Sequence, residues 1–523
     1  MRLWAVCGLL LVMGVSAAGE PAAARWWAHV RFLADDKLEG RETGSGGHLA
    51  AARYVADRFR EAGLRPAGTD GYLQPVRFRS RRIVEARSRL ALVRGGNAEP
   101  IVLGDEATIS MRVDPAPTLD AALVFVGYGL RIPELAYDDL SGLDLEGKIA
   151  VYVAGAPSRL SRPLVTHYEA VSERWASLRQ AGAIGTIVIQ HPRGTDVPWE
   201  RSKLARLRHA VSLADADLDE HSGHRLSVTF NPDRAEKLFS ASGHDWSQVA
   251  ELAKRDERLP RFPLHTTLTA TVAVEAAGLE SSNVAGLMPG RELKDEFVVV
   301  SAHLDHVGRG EPIDGDPIYN GAMDNASGIA TLIETAAALR RSRLRRSVVF
   351  LALTAEENGL LGSRYYAARP TVPAGGIVAN LNTDMFLPLF PFTSVIALGA
   401  GESNLADDLH RVAKSRRVAV IDDPEPERNA FVRSDQYSFV RRGVPALALK
   451  VGYARGSLEH EAVRIWRRDR YHSPSDDLAQ PFDLQSAEDF TQFSIRLVEA
   501  VANRQTRPRW HAGSFFARLA SQR

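Results

Sequence analysis

Cysteine is nearly absent from this sequence. The 523 residues hold a single one, Cys7. It lies inside an N-terminal stretch, MRLWAVCGLLLVMGVSAAGE, that has the marks of a cleavable export signal: a basic start at Arg2, an apolar run, and small residues around Ser16, Ala17 and Ala18. With cleavage near Ala18 the mature chain has no cysteine, which excludes a disulfide framework, a thiolate nucleophile and a cysteine-bound metal together. Any metal must then be held by His, Asp and Glu. Excess charge is missing too: 65 basic residues against 64 acidic ones leave a net charge of +1. No overall field draws the protein to nucleic acid or to an anionic membrane. The N-terminal apolar run is also shorter than the ~20 residues that span a bilayer, so no stable membrane insertion is expected after the signal is removed. Export without disulfides fits a periplasmic or secreted bacterial protein.

The length predicts more than one domain. WWAHVRFLADDKLEGRETGSGGHLAAARYVADRFREAGLRP reads as helix, Gly-rich loop and helix, with Ala51, Val55 and Phe59 near helical spacing and Gly63 as a stop. From about Thr118 short strand-like runs appear, ALVFVGYGL and KIAVYVAGA, broken by Gly and Pro. From about Ser282 the pattern becomes regular α/β. Near-continuous apolar strands (EFVVVSAH, SVVFLAL, IVANLNT, SVIALGA, PALALKV) alternate with helices, which implies a mainly parallel mixed sheet sandwiched by helices. The expected division is a signal at 1–18, an N-terminal part of the main domain at 25–117, a β-rich insert at 118–275, the main domain at 276–505, and a tail at 506–523.

Ligand sites in open α/β sheets form at the carboxyl ends of strands. Those ends carry His303, the pair Glu356–Glu357, and Asp384. Asp324 precedes a helix in NGAMDNASG, and His472 lies in the turn-like YHSPSDD. Two zinc ions about 3.5–4 Å apart need an anion between them and roughly two further ligands each. His303, Asp324, Glu357, Asp384 and His472 supply that set. Glu356 is left over beside it, unligated and within reach of a water, as a general base must be.

The ordered motifs SAHLDHVG, GAMDNASG, TAEENGLLGS, NTDM, SDQYSFVRRGVPA and YHSPSDD resemble those of the M28 zinc metallopeptidases, the co-catalytic dizinc aminopeptidases among them. The likeness covers about Asn283 to Leu478, together with FLADDKLEGRETGSGG. YDDLSGLDLEGKIAVYV and RQAGAIGTIVI resemble the protease-associated (PA) domain that interrupts some members. The resemblance implies that Asp324 bridges two zinc ions, that Glu357 and His472 complete one site and His303 and Asp384 the other, and that Glu356 is the base. It further implies that Asp305 steadies the His303 imidazole, that His306 is not a ligand, and that the substrate is a peptide losing its N-terminal residue.

Taken singly, each of these residues has an ordinary explanation. His303 would be a hydrogen-bonded loop histidine, Asp324 a helix cap, the two glutamates acids at a helix start, and His472 a turn residue. Their joint occurrence in family order is what argues against that. Around them, Ser434-Asp435 is expected to order the cleft, and Tyr453 to be either an oxyanion donor or a packing residue. MFLPLFPF (385–392) is expected to be mostly core, with part of it a candidate pocket wall, and His221 and His224 to sit in a solvated loop. Two rival readings remain: a carboxypeptidase or dipeptidase of the same fold, for which Arg433, Arg441 and Arg442 would be the carboxylate-binding suspects, and a non-catalytic PA-containing ectodomain.

Overall fold

The computed structural model describes residues 21–193 and 197–520; the expected signal segment lies outside them. Among the described residues no helix is long and apolar enough to cross a membrane.

The strands predicted from apolar runs assemble into one large mixed sheet. Across it the order is Ala210–Leu213, Leu73–Ile83, Val274–Met288, Arg346–Leu353, Leu293–His303, Ile377–Thr383, Ala446–Val451, Ser394–Leu398 and Ala419–Ile421, with Arg65–Pro66 paired to Val274–Met288. The four central strands, from Arg346–Leu353 to Ala446–Val451, run parallel, as their uninterrupted burial requires: all eight residues of Arg346–Leu353 and all seven of Ile377–Thr383 are buried. The outer pairs are mostly antiparallel. Helices cover both faces. Ser327–Leu339 is apolar nearly all round and buried over 11 of its residues, so it sits inside the layer rather than on it. Ala22–Leu33 and Leu484–Asn503 pack against it, and Trp26 Nε1 donates to Thr331 Oγ1 at 3.1 Å. The short helices Leu361–Ala368 and Gln436–Val440 lie on the other side.

A second sheet of eight strands stands beside the first. It draws on both sides of residue 118. Arg89–Arg94, Asn97–Ile101 and Ala107–Ile109 belong to it, as do Thr118–Phe125, Ile149–Val153, Gly185–Ile189, Ser227–Phe230 and Phe262–Thr271. One strand of this stretch, Ala210–Leu213, returns to the edge of the large sheet and pairs with Leu73–Ile83. Residues after 505 do not trail away. Trp510 and Phe516 are buried against Val432, Tyr437, Val440 and Ala446, and Trp510 Nε1 donates to the Gly443 carbonyl at 3.0 Å.

The Gly-rich loop after the first helix is a packing device. Gly40 has φ +69, and a Cβ there would lie 2.3 Å from the Tyr319 carbonyl oxygen. The next residue, Arg41, is buried and spends its guanidinium on four carbonyls: Leu33, Leu304 (2.9 Å), Asn320 (2.7 Å) and Gly321 (2.9 Å). It thereby clamps the two loops that carry His303 and Asp324.

His48, on the helix Gly46–Glu61, is buried beneath the sheet with Nδ1 3.2 Å from Ser281 Oγ. Burial, and secondarily the Arg41 charge, push its imidazole down to about 3. The native state therefore holds it neutral, whereas an unfolded chain takes up a proton near pH 6.5. Stability from this group is complete above that pH and is lost as the pH falls toward 3. Denaturant unfolding of His48→Gln is expected to lose stability more gently across that window, by a few kcal/mol at most. Parallel pH profiles for the two proteins would contradict this.

Candidate metal centre and catalytic cleft

Each motif delivers its side chain to one end of the parallel strands. His303 is the last residue of its strand, and Asp384 follows directly on Ile377–Thr383. Glu356 and Glu357 occupy the turn after Arg346–Leu353. Asp324 sits in the turn Ala322–Ala326 that opens the buried helix, and its peptide to Asn325 is cis. His472 is in the loop after Leu458–Asp469.

The six predicted residues converge. His303 Nε2 lies 3.1 Å from Asp324 Oδ1 and 3.3 Å from Asp384 Oδ1. His472 Nε2 lies 3.4 Å from Asp324 Oδ2 and 2.9 Å from Glu357 Oε2. Asp324 thus stands between two groups with one oxygen toward each. Its carboxyl is held well below the usual range: burial alone would raise it, as would Glu357, but His303 and His472 outweigh both. Glu357 is likewise depressed against the effect of burial, by His472 and His306. Glu356 behaves in the opposite way. Burial, and the neighbouring Asp384, Asp435 and Glu357, raise it well above the ordinary carboxylate value in spite of His303. Its carboxylate forms no hydrogen bond or ion pair among the described residues, and it lines the same cavity as Asp324 and Asp384. The two adjacent glutamates therefore face different surroundings.

The donor set fits divalent cations. His303, Asp324 and Asp384 offer ligand atoms within 4.8 Å of one another, and so do His306, Asp324 and Glu357. Inside this cluster His472 Nε2, Glu357 Oε1 and both His306 nitrogens are buried without a hydrogen bond, although oxygen lies 2.8–2.9 Å from His306 Nδ1 and His472 Nε2. Lone pairs packed this closely yet unpaired leave a cation as their natural partner.

Two details differ from expectation. The Asp305 carboxylate does not reach His303. Instead it accepts the amides of Glu356 (3.1 Å) and Glu357 (3.4 Å) and the Thr43 hydroxyl (3.2 Å). The His303 Nδ1 faces the Asp305 backbone carbonyl at 3.1 Å, which leaves Nε2 for the centre. His306, set aside on sequence grounds, points its Nδ1 at Glu357 Oε1 from 2.8 Å. Asp476, from SPSDD, accepts the amides of Met323 (2.8 Å) and Asp324 (3.0 Å). A carboxylate that is not itself in the donor cluster therefore pins each of two turns that are.

Further out, Tyr453 lines the cavity with its hydroxyl already engaged. Its hydroxyl donates to Glu425 at 2.7 Å. Tyr471, missed in the sequence because it is masked by the adjacent His472, stacks on that ring at 3.9 Å and lines the cavity. Its hydroxyl has no hydrogen bond among the described residues. Asp435 is buried near Glu356 and Asp384, and burial pushes it up to about 7; Ser434 receives a hydrogen bond from Asn382 at 3.0 Å. From MFLPLFPF, Phe386 and Phe392 enter the core against Phe490, while Met385 and Leu387 line the cavity. The loop histidine His224 is not solvated: it is buried, stacked on Trp175 at 3.9 Å, with Nε2 3.0 Å from Thr186 Oγ1. Arg441 pairs with Glu173 (3.1 Å) and Glu220 of the β-rich stretch. Arg112, just after the second-sheet strand Ala107–Ile109, donates to the Glu357 carbonyl at 2.5 Å.

Residues 283–498 match the model of Peptidase family M28. Aminopeptidase YwaD of Bacillus subtilis (strain 168) is 27% identical over 204 residues, 38% of this chain and 40% of its own length. A probable zinc metalloprotease of Pyricularia oryzae is 32% identical over 185 residues, 35% of each chain. The matched segment thus spans well under half of these curated relatives. Two solved structures share the architecture almost end to end. The aminopeptidase from Aneurinibacillus sp. strain AM-1 has a TM-score of 0.56 at 21% identity, covering 93% of this chain and 97% of that one. BSAP, a zinc aminopeptidase from Bacillus subtilis, has a TM-score of 0.50 at 19% identity, covering 92% and 96%. At these identities the likeness is one of fold.

Because Asp476 fixes the backbone on which Asp324 rides, Asp476→Ala is expected to weaken divalent-metal binding by roughly 10–100-fold. Competition against a chromophoric zinc chelator measures this, and an unchanged affinity would refute it.

Proposed function

Because residues 283–498 match the model of peptidase family M28, we propose that this protein is an exported zinc aminopeptidase that removes N-terminal residues from peptides, with two zinc ions held by His303, Asp324, Glu357, Asp384 and His472. The observation that carries the reading is the division of labour in the Glu356–Glu357 turn. Glu357 is engaged by His472 and His306, while Glu356 stands without a partner in the cavity that Asp324 and Asp384 also line. The relatives named as aminopeptidases support the choice of substrate end, and the N-terminal signal pattern supports export.

Zinc bound at this centre supplies polarisation of a carbonyl and acidification of water. The remaining work falls to side chains. Glu356 takes a proton from the attacking water and passes it to the leaving amine. Burial and the anions around it raise its proton affinity, and positive charge bound at the centre would bring it back into a working range. Tyr471 is placed to donate its free hydroxyl to the oxygen that gains charge as the carbonyl carbon turns tetrahedral. Asp384 and Glu356 present the negative surface that a protonated N-terminal amine seeks. Asp305 and Asp476 keep the donor turns in register. The β-rich stretch is read as a PA-like module that borders the cleft and restricts it to short peptides.

Glu356→Gln is expected to retain zinc while kcat falls by two to four orders of magnitude, the range for loss of a general base. Atomic absorption and hydrolysis of leucyl-p-nitroanilide measure the two quantities. A variant that keeps more than a tenth of wild-type turnover would remove Glu356 from this role. Tyr471→Phe should lower kcat by about 10²-fold with little change in KM. A change confined to KM would assign the tyrosine to binding instead. Cleavage of N-blocked but not free aminoacyl substrates, or turnover indifferent to chelator, would overturn the aminopeptidase reading itself.

A further inference from the structure

The cavity does not end at the acidic centre. It continues past Asp384 into a pocket whose walls combine the apolar Met385, Leu387, Ile396 and Leu398 with charged side chains. Into this wall the strand Ala446–Val451, ALALKV, inserts one charged residue, Lys450. Its Nζ donates to the carbonyls of Asp384 (3.1 Å) and Met385 (3.3 Å). Both acceptors are neutral, and no carboxylate pairs with this ammonium among the described residues. An ammonium has three protons, and two carbonyl acceptors leave the third for another partner. The carboxylates that share the pocket are committed elsewhere. Glu425 is held by Arg467 at 2.7 Å and by Tyr453 at 2.7 Å, and Asp423 accepts the Glu425 amide at 2.9 Å. Arg433, exposed on the same cavity and with no side-chain partner among the described residues, adds to the positive charge that Arg428 and Arg467 also bring there.

We propose that this pocket is a carboxylate subsite, in which Lys450 pairs with an anionic group of the substrate and Arg433 strengthens the positive field at the mouth. The enzyme then favours peptides that carry a carboxylate close to the cleaved bond. The proposal rests on the aminopeptidase reading above. That carboxylate has two sources: the side chain of an acidic N-terminal residue, or the free C-terminus of a dipeptide.

Four substrates separate them: glutamyl- and leucyl-p-nitroanilide as one pair, and the dipeptide Leu-Gly with its C-terminal amide as the other. The wild-type zinc enzyme is expected to prefer the carboxylate-bearing member of at least one pair by about 10-fold or more in kcat/KM, the scale of discrimination that one buried charge pair provides. Lys450→Met should collapse that ratio, and Arg433→Ala should reduce it. A glutamyl preference places the anion on the N-terminal residue, and a preference for Leu-Gly over its amide places it at the C-terminus; both support the subsite. The wild-type ratios need no variant, so a misfolded Lys450→Met does not block the test. Leucyl-p-nitroanilide hydrolysis without a carboxylate preference in either pair overturns the subsite and leaves the aminopeptidase reading intact. A ratio that survives Lys450→Met in folded, zinc-bound protein also overturns it. Wild-type protein that cleaves none of the four substrates fails the aminopeptidase reading, and the subsite with it.

Discussion

Crowded negative charge is the constraint on which this molecule is built. Asp305, Asp324, Glu356, Glu357, Asp384 and Asp435 meet at one end of a parallel sheet, with His303, His306 and His472 among them. Anions brought together out of water repel and lose hydration at once. The fold answers in two ways. It spends some of the carboxylates on backbone amides, as with Asp305 on the Glu356–Glu357 turn and Asp476 on the Asp324 turn. It also arranges the rest, with the histidines, as donor groups that fit divalent metal. Arg41 belongs to the first response, since its guanidinium ties together the carbonyls of the loops that carry His303 and Asp324. The Gly-rich loop at the N-terminus is therefore part of the centre's scaffold, although it contributes no donor atom.

The centre was legible because its chemistry admits few residue types and because parallel strands announce themselves as apolar runs. His303, Glu357 and Asp384 follow such runs directly, and the reader has only to stop where the strand stops. The missing pieces were those decided by contacts across loops. Tyr453 and Tyr471 are equally plausible as letters. Both line the cavity, but the Tyr453 hydroxyl is taken up by Glu425, 28 residues away in sequence, while Tyr471 is set against the ring of His472. His306 looked spare beside an HLD motif, since nothing in the sequence says that Glu357 will swing toward it. The Asp305 side chain was assigned to the nearer imidazole, yet the backbone carbonyl of the same residue does that job.

The fold repeats this pattern. The central strands were readable from continuous hydrophobicity. The strands Arg89–Arg94, Asn97–Ile101 and Ala107–Ile109 were not, because short half-exposed strands take their identity from the neighbours they pair with. The segment after residue 505, rich in Arg and lacking periodicity, had no helix or strand pattern. It is fixed by two aromatic side chains, Trp510 and Phe516, that find a hollow under the large sheet.

The strand Ala210–Leu213 gives the β-rich stretch a meaning beyond that of an appended module. It closes the edge of the first sheet, and its Val211 amide donates to the Asn358 side chain beside the Glu356–Glu357 turn at 3.1 Å, while Arg112 grips the Glu357 carbonyl. The chain is sewn through both bodies rather than hinged between them. Such stitching makes the two sheets a single inheritance: the insert cannot be traded for another of similar shape, nor trimmed away to leave the large sheet alone, without reopening a sheet edge and loosening the turn that carries the two glutamates.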